Sequence, residues 1–124
     1  MNRLRDEIHK NAVEHGWWDK ERSFGEIIAL CHSELSEALE EYRKGNKPNQ
    51  IYYKDKNGNE YGCDVPGFDG ESNLKPEGIP IELADCIIRI LDYCGKEGIN
   101  IEEAIRIKHK YNQTRPYRHG GKRI

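Results

Sequence analysis

Two segments of this chain combine an apolar helical stripe with a pair of acidic residues spaced three positions apart. Glu34 and Glu37 lie in SELSEALEEYR, and Glu82 and Asp85 lie in PIELADCIIRILD. Residues three apart share one face of a helix, so each pair stacks like charges and destabilises its helix by about 0.3 kcal/mol. The fold therefore has to bury two apolar stripes and also compensate four carboxylates. A hard divalent cation with oxygen ligands is the simplest compensation.

Apolar residues recur with a helical period in four segments, which are bounded by capping residues, proline and glycine. They predict helices over about 2–15, 23–45, 80–95 and 101–111. Ser23 and Glu26 form a capping box at the start of the second helix, and Asn100 with Glu103 caps the fourth. Gly16, Gly45 and Gly95 are expected to end the first three helices.

The segment from 46 to 79 has a different composition, rich in Gly, Pro, Asn and Asp. Asn57-Gly58 lies between tyrosine-bearing flanks, which predicts a β-hairpin with a two-residue turn. The expected fold is therefore all-α, of the helical hairpin or four-helix-bundle type, with a small β-hairpin insertion between the two acidic helices. We expect one domain over 1–124, with the insertion at about 46–79 and a basic C-terminal tail at about 113–124.

Composition excludes several classes of function. The net charge of −2 gives no general attraction to nucleic acid or to an anionic membrane. No apolar run approaches the roughly 20 residues of a membrane span, and the N-terminus does not resemble a signal peptide. The four cysteines contain no CxxC spacing, which leaves a zinc ribbon unsupported and favours a cytoplasmic location. The hydrophobic content of 35% is lean and leaves room for an oligomer to complete the core.

The acidic pairs have a structural interpretation and a chemical one. A long surface helix collects glutamates, and acids in the first turn also favour the helix dipole. If the two helices instead pack antiparallel, carboxylates from both can meet across a gap that a metal ion fills. A di-iron bundle needs Glu-x-x-His, whereas Glu37 and Asp85 occupy the matching positions here. Oxygen-only ligation favours Mg²⁺, with Mn²⁺ as a substitute.

Two further groups of residues are candidates for substrate binding. Lys108 and Asn112 share a helical face and Arg115 lies just beyond it, a combination that suits a polyphosphate or, alternatively, a basic helix end beside its own dipole. Trp17 and Trp18 follow a helix-ending glycine, where they either plug the core or offer a ring to a nucleobase.

These motifs, taken in order, resemble the MazG-like nucleoside triphosphate pyrophosphohydrolases of the all-α superfamily. The residues that carry the resemblance are Glu34-x-x-Glu37, Glu82-x-x-Asp85 and Lys108-x-x-x-Asn112-x-x-Arg115-Pro-Tyr, over roughly 20–45 and 78–118. The resemblance implies Mg²⁺ bound by Glu34, Glu37, Glu82 and Asp85, and phosphates and sugar contacted by Lys108, Asn112 and Arg115. It also implies cleavage of a (deoxy)nucleoside triphosphate to the monophosphate and pyrophosphate, in a homodimer or homotetramer.

Glu37 is the acid expected to orient or deprotonate the attacking water. One departure from the family is the distance between the acidic motifs, since 44 residues (38–81) separate Glu37 from Glu82. The alternative function is a helical adaptor that binds a nucleotide or a partner without turnover. A di-metal redox bundle ranks last because the histidines are missing.

Overall fold

The computed structural model describes residues 1–62 and 73–117, and in these ranges the chain is mostly helical with one small antiparallel sheet. The predicted helical character is confirmed. The elements are α1 (Asn2–Glu14), α2 (Phe24–Arg43), β1 (Tyr52–Lys54), β2 (Glu60–Gly62), β3 (Lys75–Glu77), α3 (Ile79–Glu97) and α4 (Ile101–Thr114). Cys63 and most of the predicted basic tail, residues 118–124, lie outside the described residues.

The chain divides into two compact units. The sheet unit comprises Lys20–Ile90, and the terminal unit comprises Met1–Asp19 and Leu91–Ile124. Helix α3 contributes Ile79–Ile90 to the sheet unit and its remaining residues to the terminal unit. Both predicted acidic pairs therefore lie in the sheet unit, whereas the predicted substrate-binding residues lie in the terminal unit.

Both predicted helix caps are confirmed. The Ser23 side chain accepts a hydrogen bond from the backbone N–H of Glu26 at 3.1 Å, and α2 begins at the next residue after Ser23. Asn100 accepts from the N–H of Glu103 at the same distance and starts α4. Each cap satisfies one of the N–H groups that a helix start leaves without a partner.

The predicted end of the third helix is wrong. Helix α3 passes through Gly95 and ends at Glu97, where Gly98 adopts a φ of +68°. Gly95 is small for a packing reason, since an added Cβ would lie 2.5 Å from the Cβ of His9. Helix α4 also continues past Tyr111, to Thr114. A glycine that admits a close neighbour and one that stops a helix look alike in a sequence.

The predicted hairpin forms, but not with a two-residue turn. Strands β1 and β2 pair antiparallel with Lys54 opposite Glu60, and the N–H of Gly58 donates to the carbonyl of Asp55. Gly58 has a φ of +86°. A left-handed residue at the end of the loop is typical of hairpin loops that are longer than two residues. The Asp55 carboxylate stabilises this loop by accepting from the N–H groups of Asn57 and Asn59.

A third strand, β3, was not predicted. It pairs antiparallel with β1, which gives the sheet order β2-β1-β3. Gly78 connects β3 directly to α3 with a φ of +121°, and an added Cβ there would lie 2.4 Å from the carbonyl oxygen of Gln50. The Gly78 carbonyl accepts from the N–H groups of Ile81 and Glu82. This connection fixes the positions of Glu77, at the end of β3, and Glu82, in the first turn of α3, relative to the sheet.

The buried side chains include acids as well as apolar residues. The buried apolar residues of the sheet unit are Ile27, Cys31, Ala38, Tyr52 and Cys86, and those of the terminal unit are Leu91 and Cys94. Among the residues that the structure describes, four carboxylates are also buried: Glu34, Glu41, Glu82 and Asp92. No helix in the ranges 1–62 and 73–117 is both long and apolar enough to cross a membrane.

Candidate metal centre

Three of the four predicted metal ligands come together in the sheet unit. One carboxylate oxygen from each of Glu34, Glu37 and Glu82 lies within 4.8 Å of the other two. We call this set the primary acidic cluster. Glu34 and Glu37 are one turn apart on α2, and Glu82 belongs to the first turn of α3. Glu34 and Glu82 are buried, whereas Glu37 is exposed, so the cluster has one open side.

Glu82 is the least satisfied acid of this cluster. The residue is 6% exposed, and its Oε2 has no hydrogen-bond partner among the described residues. Burial raises its pKa to about 8, with Glu37, Asp85 and Glu34 adding to the shift. A buried carboxylate oxygen without a donor is costly, because nothing replaces the water it has lost. A bound cation would remove this cost, and the donor set, which is all oxygen, suits Mg²⁺ or Mn²⁺.

Asp85 lies beside the primary acidic cluster without belonging to the set of three converging oxygens. Burial raises its pKa, the charges of Glu34 and Glu37 raise it further, and Arg89 lowers it. The charge of Asp85 therefore acts on the primary acidic cluster. Its carboxylate is not one of the three whose oxygens converge there.

Arg89 is a residue of this site that the sequence prediction missed. Its Nε donates to Oε1 of Glu34 at 3.0 Å; Glu34 is buried and Arg89 is half-buried. Arg89 follows Asp85 by four residues and Glu82 by seven, which places it on the same face of α3. That spacing is the signal that could have identified it. The guanidinium supplies part of the positive charge that the cluster requires.

Glu41 is a second missed residue, one turn after Glu37 on α2. It is 5% exposed, and the hydroxyl of Tyr52 donates to both of its carboxylate oxygens, at 2.9 and 3.0 Å. The side-chain amide of Asn46 donates to Glu41 as well. Tyr52 belongs to β1, so the inserted sheet packs against the acidic face of α2.

The predicted phosphate-binding residues lie on α4 in the terminal unit. Lys108 and Asn112 line a shallow groove of about 310 Å³ together with Ala104, Ile105 and His109. The Lys108 Nζ lies 4.9 Å from the centre of the Tyr111 ring, and the Arg115 guanidinium carbon lies 5.7 Å from it. The three predicted residues are thus exposed or half-buried on one short stretch of the chain, and both cations lie close to the Tyr111 ring.

Trp18 has clear structural partners in the terminal unit. Its Nε1 donates to Oδ1 of the buried Asp92 at 2.9 Å, and the same oxygen is 2.8 Å from Nδ1 of His9. Lys96 lies over the Trp18 ring at 5.1 Å. These contacts agree with a structural role for Trp18, and both tryptophans are half-buried. Stacking of either ring on a nucleobase stays a prediction.

No protein-family model, curated protein or solved structure matches this chain. The residues of the site alone therefore indicate a metal centre, above all the convergence of Glu34, Glu37 and Glu82, whose Oε2 has no donor among the described residues.

The raised pKa of Glu82 predicts how the stability of the cation-free protein depends on pH. Between about pH 4.5 and pH 8 the unfolded chain loses the Glu82 proton while the folded chain keeps it. In EDTA, the free energy of unfolding should therefore fall by several kcal/mol as pH rises through this window. Urea unfolding at a series of pH values measures this dependence.

Glu82→Gln should flatten the pH dependence and make the protein more stable than the wild type at pH 8 in EDTA. The exposed Glu40 serves as the matched control, because Glu40→Gln should leave the dependence unchanged. If wild type and Glu82→Gln showed the same pH dependence of stability, burial of the Glu82 carboxylate would not destabilise the folded protein.

Proposed function

We propose that this chain is a Mg²⁺-dependent nucleotide pyrophosphohydrolase that cleaves (d)NTP to (d)NMP and pyrophosphate, a housecleaning enzyme of the cytoplasm similar to the MazG-like family. The observation that supports this most is the convergence of three carboxylates on α2 and α3 around a buried oxygen without a donor. The order of the motifs in the sequence adds the substrate class.

Glu34, Glu37 and Glu82 would hold the ion, with Asp85 beside them. When bound, Mg²⁺ neutralises charge on phosphate oxygens, including the charge that develops on leaving pyrophosphate. Arg89, held by Glu34, keeps a further positive charge at the cluster. Such fixed charges stabilise a phosphoryl-transfer transition state without needing to reorganise.

Glu37 is the residue we assign to the attacking water. It is the exposed member of the primary acidic cluster, so a water from solvent can reach it. Its carboxylate would accept a hydrogen bond from this water and then its proton, as the water oxygen bonds to the α-phosphorus. The bond from that phosphorus to the bridging oxygen breaks, and the electron pair leaves with pyrophosphate. Lys108, Asn112 and Arg115 would contact the phosphates and the sugar.

A non-catalytic adaptor is the second candidate, and the apolar surface of α2 and α3 favours it. Ile28, Leu35 and Leu39 on α2 are 37–50% exposed, and Leu83 and Ile87 on α3 are 43% and 49% exposed. Apolar faces of this kind mark sites of association. The same surface also serves the enzyme, because a second copy of the chain could cover it and complete a four-helix bundle.

The enzymatic proposal is tested by incubating the protein with a panel of nucleoside triphosphates and Mg²⁺ and separating the products by chromatography. Monophosphate and pyrophosphate are expected. Glu37→Gln should lower kcat at least about 100-fold, the usual contribution of a general base, while the fold is kept. Glu40→Gln, three residues along the same helix, should retain activity. Metal-dependent nucleotide binding without any product would favour the adaptor, and release of orthophosphate would contradict the proposed reaction.

The proposed homodimer or homotetramer is tested by light scattering at tens of micromolar. Leu35→Lys should raise the dissociation constant at least about tenfold, because a buried leucine contributes about 1.5–3 kcal/mol. The exposed polar Ser33 gives the control Ser33→Lys, which should leave the size unchanged. A wild-type protein that is monomeric at this concentration would contradict the proposed assembly.

A further inference from the structure

A second group of three acids shares Glu82 with the primary acidic cluster. One carboxylate oxygen from each of Glu41, Glu77 and Glu82 lies within 4.8 Å of the other two. We call this set the sheet-side cluster. Its acids come from the last turn of α2, from β3 and from the first turn of α3. Glu41 and Glu82 are buried and Glu77 is half-buried, so this cluster is more enclosed than the primary one.

The hydrogen bonds of the sheet-side cluster orient Glu41 but leave Glu82 unsatisfied. Tyr52 and Asn46 donate to Glu41, and the exposed Lys75 lies 3.5 Å from Oε1 of Glu77. Glu82 is only 6% exposed, and its Oε2 has no donor among the described residues. The unpartnered oxygen thus belongs to the one residue that both clusters share.

We propose that Glu41, Glu77 and Glu82 form a second divalent-cation site, so that Glu82 bridges two cations held by the two acidic clusters. This second site adds a cation to the proposed pyrophosphohydrolase centre. It rests on the proposed function, because it requires that the primary acidic cluster also holds Mg²⁺. Two-metal centres for phosphoryl chemistry place their ions about 3.5–4 Å apart, which one bridging carboxylate can span. The donors are oxygen only, as Mg²⁺ and Mn²⁺ require.

Tyr52 and Asn46 act as supports for a ligand in this arrangement. Ligating carboxylates are themselves hydrogen-bonded from outside, which fixes their orientation. The Tyr52 hydroxyl meets both oxygens of Glu41, and Tyr52 is itself buried. The inserted sheet therefore contributes to the site in two ways, since it supplies Glu77 as a ligand and Tyr52 as the support of Glu41. Gly78 joins β3 to α3, so Glu77 precedes Glu82, in the first turn of α3, by five residues.

The site is tested by metal stoichiometry in the full chain without nucleotide. The protein is stripped with EDTA, dialysed and titrated with MnCl₂, and binding is followed by electron paramagnetic resonance and by calorimetry. About two Mn²⁺ per chain and an exchange-coupled signal are expected, because a shared carboxylate couples neighbouring ions. Neither readout depends on turnover.

Three variants separate the two clusters. Glu77→Gln should reduce the stoichiometry to about one and remove the coupling, and Glu37→Gln should do the same through the other cluster. Glu82→Gln should weaken both sites, whereas Glu40→Gln, beside Glu41 on α2, should match the wild type. Circular dichroism checks that each variant is folded, and the coupled signal of the wild type tests the bridge without any substitution.

Each remaining outcome would overturn the second site. A single Mn²⁺ that is lost in Glu37→Gln but kept in Glu77→Gln would refute it and leave the proposed function standing. Two ions in Glu77→Gln would place the second ion elsewhere. No Mn²⁺ bound to the wild type would refute both proposals together.

Discussion

The structure depends on one unfavourable placement, the carboxylate of Glu82 buried at the start of α3 against the acids of α2. Burial and the neighbouring charges of Glu37, Asp85 and Glu34 all disfavour its ionised form. A protein that needed only a helix start could place a neutral residue there. The free-energy cost of burying this carboxylate is offset if a cation binds there, because hard cations bind carboxylate oxygens that already lie close together and away from water.

The inserted sheet follows from the same constraint. The buried Glu41 is stabilised by hydrogen bonds from the Tyr52 hydroxyl and the Asn46 amide, and Tyr52 is held in β1, which pairs with a strand on both sides. The connection through Gly78 joins β3 to α3 with no intervening loop, so the sheet and the first turn of α3 are positioned together. The segment that separates the two acidic motifs in the sequence thereby becomes part of the acidic site.

The sequence predicted the features that depend on local rules. Helix starts at Ser23 and Asn100 were predictable because the cap uses side chains within three residues of the start, and Glu34, Glu37 and Glu82 were predictable because spacing sets a helix face. The features that depend on tertiary contacts were not predictable. Gly95 lies inside its helix, and the close approach of His9 leaves no room there for a side chain. Likewise β3, Arg89 and Glu41 take their roles from partners distant in the sequence.

A crystal structure of the protein soaked in Mn²⁺, with anomalous scattering used to locate the ions, would show whether the acidic residues of α2 and α3 hold a cation. We expect an anomalous peak in contact with carboxylate oxygens of Glu34, Glu37 and Glu82, at which Oε2 of Glu82 gains the partner it lacks among the described residues. A map without a peak at these three residues, in which Oε2 of Glu82 is satisfied by a protein donor or by water, would contradict it.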